Sequence, residues 1–201
     1  MRRPSSKLVM LALALPSTLC AREAQAHLVQ TGLGPVYDGV AHFALSPEDF
    51  LPILGAALVA GLRGKEHARV AVVLLPLFWL LGGVLGGLPH TPVLTAPSWA
   101  LFMVVGALVA ADLRLPIAVT GALIALLGLV LGYSNGLAMA ESGQGMRGVI
   151  GSTAAIFVLV TFVAALAVAT TIAWVRIAWR VAGSWIAASG LLLLGWALKA
   201  R

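Results

Sequence analysis

His27, Asp38, His42, Glu48 and Asp49 crowd into one short stretch of a chain made otherwise mostly of Leu, Ala, Val and Gly. Imidazole nitrogens and carboxylate oxygens together suit divalent transition metals such as nickel, cobalt, zinc or copper, and nowhere else does this sequence combine both so closely. Asp38 precedes His42 by four positions, close enough to orient the imidazole by hydrogen bonding as a supporting carboxylate does. Glu48 and Asp49 follow His42 by six and seven positions, and a helix that began early enough would carry all three on one face.

The same residues also have backbone readings. Tyr37-Asp38-Gly39 has the composition of a turn. Ser46-Pro47-Glu48-Asp49 reads as a helix start, with Ser at the N-cap, Pro at the first helical position and acids opposing the dipole, which leaves His42 outside the helix. The capping role and a ligand role for one carboxylate are compatible. Farther on, Tyr133, Asn135, Met139, Glu141 and Met146 form a second, sparser polar group, in which Glu141 at a span end is placed to line an entrance. His90 belongs to a loop on the same side.

These side chains must be positioned by elements that live in lipid. The 201 residues are 61% apolar and 10% charged, against roughly 25% charged in soluble domains. The net charge of +6 is spread over span ends with no basic patch interleaved with aromatics, so nucleic acid is not the partner. The expected partner is the bilayer. Residues 1–26 have the parts of a secretory signal: Arg2, Arg3 and Lys7, an apolar run over 8–15, and Ala24-Gln25-Ala26 as a small-x-small cleavage site. Cleavage there makes His27 the first residue, able to offer amine and imidazole together. The alternatives are an uncleaved signal anchor and a lipoprotein modified at Cys20, the latter disfavoured by Leu19 before it.

Hydrophobic blocks at 48–62, 68–88, 97–112, 115–133, 149–175 and 182–198 predict six transmembrane helices, each near the ~20 residues needed to cross a bilayer. The expected fold is an all-α membrane protein, a six-helix bundle over 47–201 that follows the signal and an exported segment, 27–46. Unbroken apolar runs such as 123–131 exclude a lipid-facing barrel, whose strands alternate. With an exported N-terminus, Arg63, Lys65, Arg69, Arg114, Arg176 and Arg180 fall on the cytoplasmic side, while 88–97 and 134–148 form exterior loops. Asp112 with Arg114 reads as a helix-end pair, and Arg176 with Arg180 as interfacial anchors beside Trp174 and Trp179. Gly82/Gly86, Gly83/Gly87 and Gly128/Gly132 have the four-residue spacing by which small residues let helices pack closely in lipid.

In Ala26-His27, Tyr37-Asp38-Gly39-x-x-His42 and the Ser-Pro-Glu-Asp start of the first span, the chain resembles the HupE/UreJ family of small, signal-bearing, six-span membrane proteins. The resemblance implies an accessory function linked with hydrogenase or urease and with nickel permeation. In the nickel-permease branch a His is followed six and seven positions later by Asp and His; here those places hold His42, Glu48 and Asp49, so the acid is kept in kind and the second imidazole is missing. A later His-Gly with a nearby Glu corresponds to Asn135-Gly136 and a displaced Glu141. Imidazole is a preferred nickel ligand, so both departures concern the choice of ion.

No Ser-His pair, paired Asp or Gly-rich phosphate loop suggests catalysis, and no cofactor is expected. The function expected is transport of a divalent transition metal across the bacterial inner membrane, with the mature N-terminus periplasmic. His42, Asp38, Glu48, Asp49, His27 and Glu141 are the candidate ligands. The alternative is a membrane accessory protein that binds or senses metal, or docks a partner, without moving the ion.

Overall fold

A computed structural model describes residues 30–90, 92 and 97–199. The expected signal, Cys20 and His27 lie outside the described residues. Within them the chain folds into seven helices: α1 Pro35–Leu45, α2 Pro47–Gly61, α3 Lys65–Gly86, α4 Ser98–Ala111, α5 Ile117–Glu141, α6 Gly145–Val168 and α7 Ala173–Lys199. Helices α3, α5, α6 and α7 are each long and apolar enough to cross a membrane, and α1 with α2 forms a further candidate span, bent by 75° at Ser46. The chain is thus a multi-pass membrane protein with four or five such spans. Helix α4 has 14 residues, about 21 Å at 1.5 Å per residue and short of the ~30 Å core, so the six full-length spans expected from hydropathy are not all present as such.

Several sequence expectations change here. The expected turn at 37–39 is helical, and His42 lies inside α1, not outside a helix. Gly34, at φ 101°, starts α1, with Pro35 at the first helical position. Gly39 is required by a close approach: a Cβ there would strike the Gly148 backbone of α6. The 75° bend separates His42 from Glu48 and Asp49, so the three do not share one helix face. Ser46 does occupy the N-cap of α2, but its side chain makes no capping hydrogen bond. The expected exterior loop 134–148 shrinks to 142–144, because α5 continues to Glu141 and α6 begins at Gly145. The boundary expected near residue 175 instead falls at 169–172, which puts Arg176 and Arg180 within α7.

The expected glycine packing is present, backbone against backbone, except at Gly87, which lies past the end of α3 and closely approaches only that helix's own Gly83 carbonyl. A Cβ at Gly82 would strike Leu129 and Tyr133 of α5, one at Gly86 would strike Tyr133, one at Gly132 would strike Trp79 of α3, and one at Gly136 would strike Gly83. In lipid, where apolar burial between helices is not a driving force, such contact maximises dispersion along the seam. Helix α1 rests on α6 through Gly39, Gly148 and Gly151, and α4 rests on α7 through Gly106, Gly183 and Gly190. Helix α2 lies between these groups: a Cβ at Gly55 would meet Val105 of α4, and one at Gly61 would meet Ala167 of α6.

Candidate functional site

The break between α1 and α2 gathers the sequence-derived residues without bringing all of them together. Asp38 and His42, one turn apart on α1, are both buried, as is Asp49 in the first turn of α2. Glu48 and Glu141 are exposed, the latter at the end of α5. Among the described residues, no three His, Cys, Asp or Glu side chains form a group able to hold a metal ion. Asp38 Oδ1 accepts hydrogen bonds from the Thr31 backbone N–H and from its hydroxyl, both at 2.6 Å. This carboxylate therefore also ties down the segment leading into α1. His42 lies in the last turn of α1, where a helix dipole favours a cation.

Behind His42 the polar character continues into the bundle. The Phe43 ring meets Trp79 of α3 edge-on, with centroids 5.9 Å apart. Trp79 Nε1–H donates to Ser152 Oγ of α6 at 3.1 Å, and Ser152 Oγ lies 2.9 Å from Asn135 Oδ1 of α5. The Ser152 hydroxyl has one proton, which it can give either to Asn135 or to the Val149 carbonyl 3.0 Å away. Asn135 is 2% exposed, and its Nδ2 has no hydrogen-bond partner. A buried amide with an unmatched end is costly unless water or a ligand meets it.

A second unmatched atom lies nearer the chain's surface. Gln144 Oε1, at the N-cap of α6, is buried without a partner. Around Gly148 the Met139 thioether and the Gln144 side chain converge, and the same glycine abuts Gly39 beside Asp38. The site thus has an outer part, Asp38, His42, Met139 and Gln144, and an inner part, Asn135, Ser152 and Trp79. Of these, Gln144, Ser152 and Trp79 did not stand out in the sequence. For Trp79 and Ser152 the only signal was a polar atom inside an apolar stretch, and Gln144 was one polar residue among several in 141–147.

At the opposite end of the bundle the expected charge pairs are re-assigned. Asp112 pairs with Arg63 and Arg176, not with Arg114. Arg180 Nε donates to the Ala110 carbonyl at 2.9 Å. Arg176 and Arg180 therefore fasten α7 to the end of α4 instead of acting only as interfacial anchors. Burial, then the neighbouring Arg176 and Arg114 charges, lower the Arg63 pKa from its ordinary value. The cations at 63, 114, 176 and 180 share one end of the bundle, whereas Glu141 and Gln144 lie at the other.

Residues 13–194 match the family model described as HupE / UreJ protein. The chain belongs to the HupE/UreJ family. No curated protein and no solved structure matched it. The match spans the broken helix, the glycine seam and α7 alike, so all seven helices of this HupE/UreJ protein fall within the family's extent, apart from the last residues of α7.

Proposed function

We propose that this HupE/UreJ protein is a permease for a divalent transition metal ion, nickel or a related ion, across the inner membrane. The observation that carries the reading is the helix break at Ser46, which has buried His42 on one side and buried Asp49 on the other. Discontinuous spans recur where transporters bind ions, because irregular backbone in a bilayer is tolerated where it is buried in protein or lines a cavity. The ion is captured by His42 with Asp38 and Glu48 or Asp49; His27 and Glu141 contribute at the rim. It then passes the Asn135–Ser152 level between α5 and α6. Imidazole with carboxylate and amide oxygens suits nickel, cobalt or zinc.

In this reading the signal 1–26 is removed, 27–46 is the exported segment whose α1 docks on α6 and enters the outer side of the bilayer as the first half of the broken span, and 47–201 is the six-helix membrane domain. Helix α4 provides a crossing with its flanking loops, giving six, and the cluster of Arg63, Arg114, Arg176 and Arg180 is cytoplasmic. Uptake of nickel into proteoliposomes by the chain and by His42→Ala is the test. A loss of tenfold or more in the variant is expected, and equal uptake by both would overturn the site. A second reading, an accessory protein that binds metal without moving it, is favoured by how few polar side chains the long spans bury, among the described residues only Thr120, Asn135 and Ser152, where a translocation path needs them. Stoichiometric binding in detergent with no vesicle flux would select it.

A further inference from the structure

Between α2, α4 and α5 lies a groove of about 340 Å³, walled by Ala56 and Val59, by Ala100 and Leu108, and by Thr120 and Leu127. Its lining is almost wholly apolar, and Val104 and Leu126 at its lips are more than half exposed, so it opens sideways to the lipid. Along α5 it runs from Thr120 to Val130, about 15 Å at 1.5 Å per residue. That is half of the ~30 Å hydrocarbon core, the depth of a single leaflet.

One end of this groove is charged. The segment 112–116, which joins its α4 and α5 walls, carries Arg114, and Arg63 follows directly on its α2 wall. Arg63 and Arg176 share the single carboxylate of Asp112, and exposed Arg114 makes no ion pair among the described residues. Three guanidiniums against one carboxylate leave a net positive charge at the mouth of an apolar slot. The His67 Nε2–H donates to the Leu115 carbonyl at 3.2 Å and holds this segment against the start of α3.

We infer that the groove is a binding site for one anionic phospholipid, whose phosphate is met by Arg114, with the excess positive charge of the Arg63–Asp112–Arg176 group behind it, while an acyl chain lies between α4 and α5. Length, apolar lining and charge all match that occupant. A neutral phospholipid would fill the slot but leave the cations unmatched, and a second copy of this chain would bring its own cations to the same place. The inference needs only that the chain sits in a bilayer, and it stands apart from the ion pathway proposed above.

The test is native mass spectrometry and thermal melting of the full chain in neutral detergent, with added phosphatidylglycerol or phosphatidylcholine of identical acyl chains. The chain should retain phosphatidylglycerol about fivefold more than phosphatidylcholine, the equivalent of ~1 kcal/mol for one Arg at an anionic surface. Arg114→Gln, exposed and outside any ion pair, should fold normally and lose that preference while still binding both lipids weakly. Ala100→Trp, which fills the slot, should lose retention of both. Equal retention of the two lipids, a preference unchanged in Arg114→Gln, or a lipid-free dimer disrupted by Ala100→Trp would each overturn the inference.

Discussion

Helices α3 and α5 and helices α4 and α7 are both paired through glycines, yet they behave as different materials. The α3–α5 seam is continued by α6 and α1 and encloses polar side chains: Trp79, Ser152 and Asn135 within it, and Asp38 and His42 at its outer end. The α4–α7 pair encloses none among the described residues. Only Gly183, Ile186 and Gly190 of α7 are buried, while Trp174, Trp185 and Trp196 face outward. Its polar fastenings to the rest lie at one end, where Asp112 receives Arg176 and Arg63. Backbone proximity alone does not make a functional interior; what matters is whether the helices so joined also bury groups that need a partner.

Substitution of glycines is the severest way to break this contrast. Gly132→Val would push a branched side chain into the Trp79 backbone, a strain of about 3 kcal/mol or more that the seam cannot relax, and should abolish monodisperse protein on size exclusion. Gly195→Val in α7 meets nothing within 4 Å and should melt like the parent. Asp112→Asn keeps a residue that tolerates φ 52° but leaves Arg63, 8% exposed, without its carboxylate. About 2 kcal/mol of stability should be lost, discounted from the 3–5 kcal/mol for a fully buried pair. Arg176→Gln, at a site 44% exposed, should cost less than ~1 kcal/mol. Smallest within the seam, Ser152→Ala removes the acceptor of Trp79 Nε1–H and should cost about 1 kcal/mol, visible in thermal melts and as a change in indole fluorescence.

The parts of this arrangement that repeat along the chain were readable in advance. Gly82/Gly86 and Gly128/Gly132 marked the α3 and α5 faces that meet, because their four-residue spacing is set by helix geometry alone. Asn135 was noted, but its burial was not legible, since one polar residue near a span end is compatible with a loop. Asp38-Gly39 has the composition of a turn, and only the contact of Gly39 with Gly148, more than a hundred positions away, explains the helix. The break at Ser46 was read as a beginning, because Pro at a first helical position looks the same whether or not a helix precedes it. Asp112 was assigned to its sequence neighbour Arg114, whereas its partners come from two other helix ends.

At Ser46 two helix dipoles meet within a single residue. Helix α1 ends there with carbonyl oxygens that have no acceptor role inside the helix, a negative pole that attracts cations. Helix α2 begins there with a positive pole that would repel them. Glu48 and Asp49 lie in that first turn and offset it. The two acids therefore favour a cation at the break even without touching it, and replacing both by amides would leave the side chains of α1 in place while restoring the repulsion.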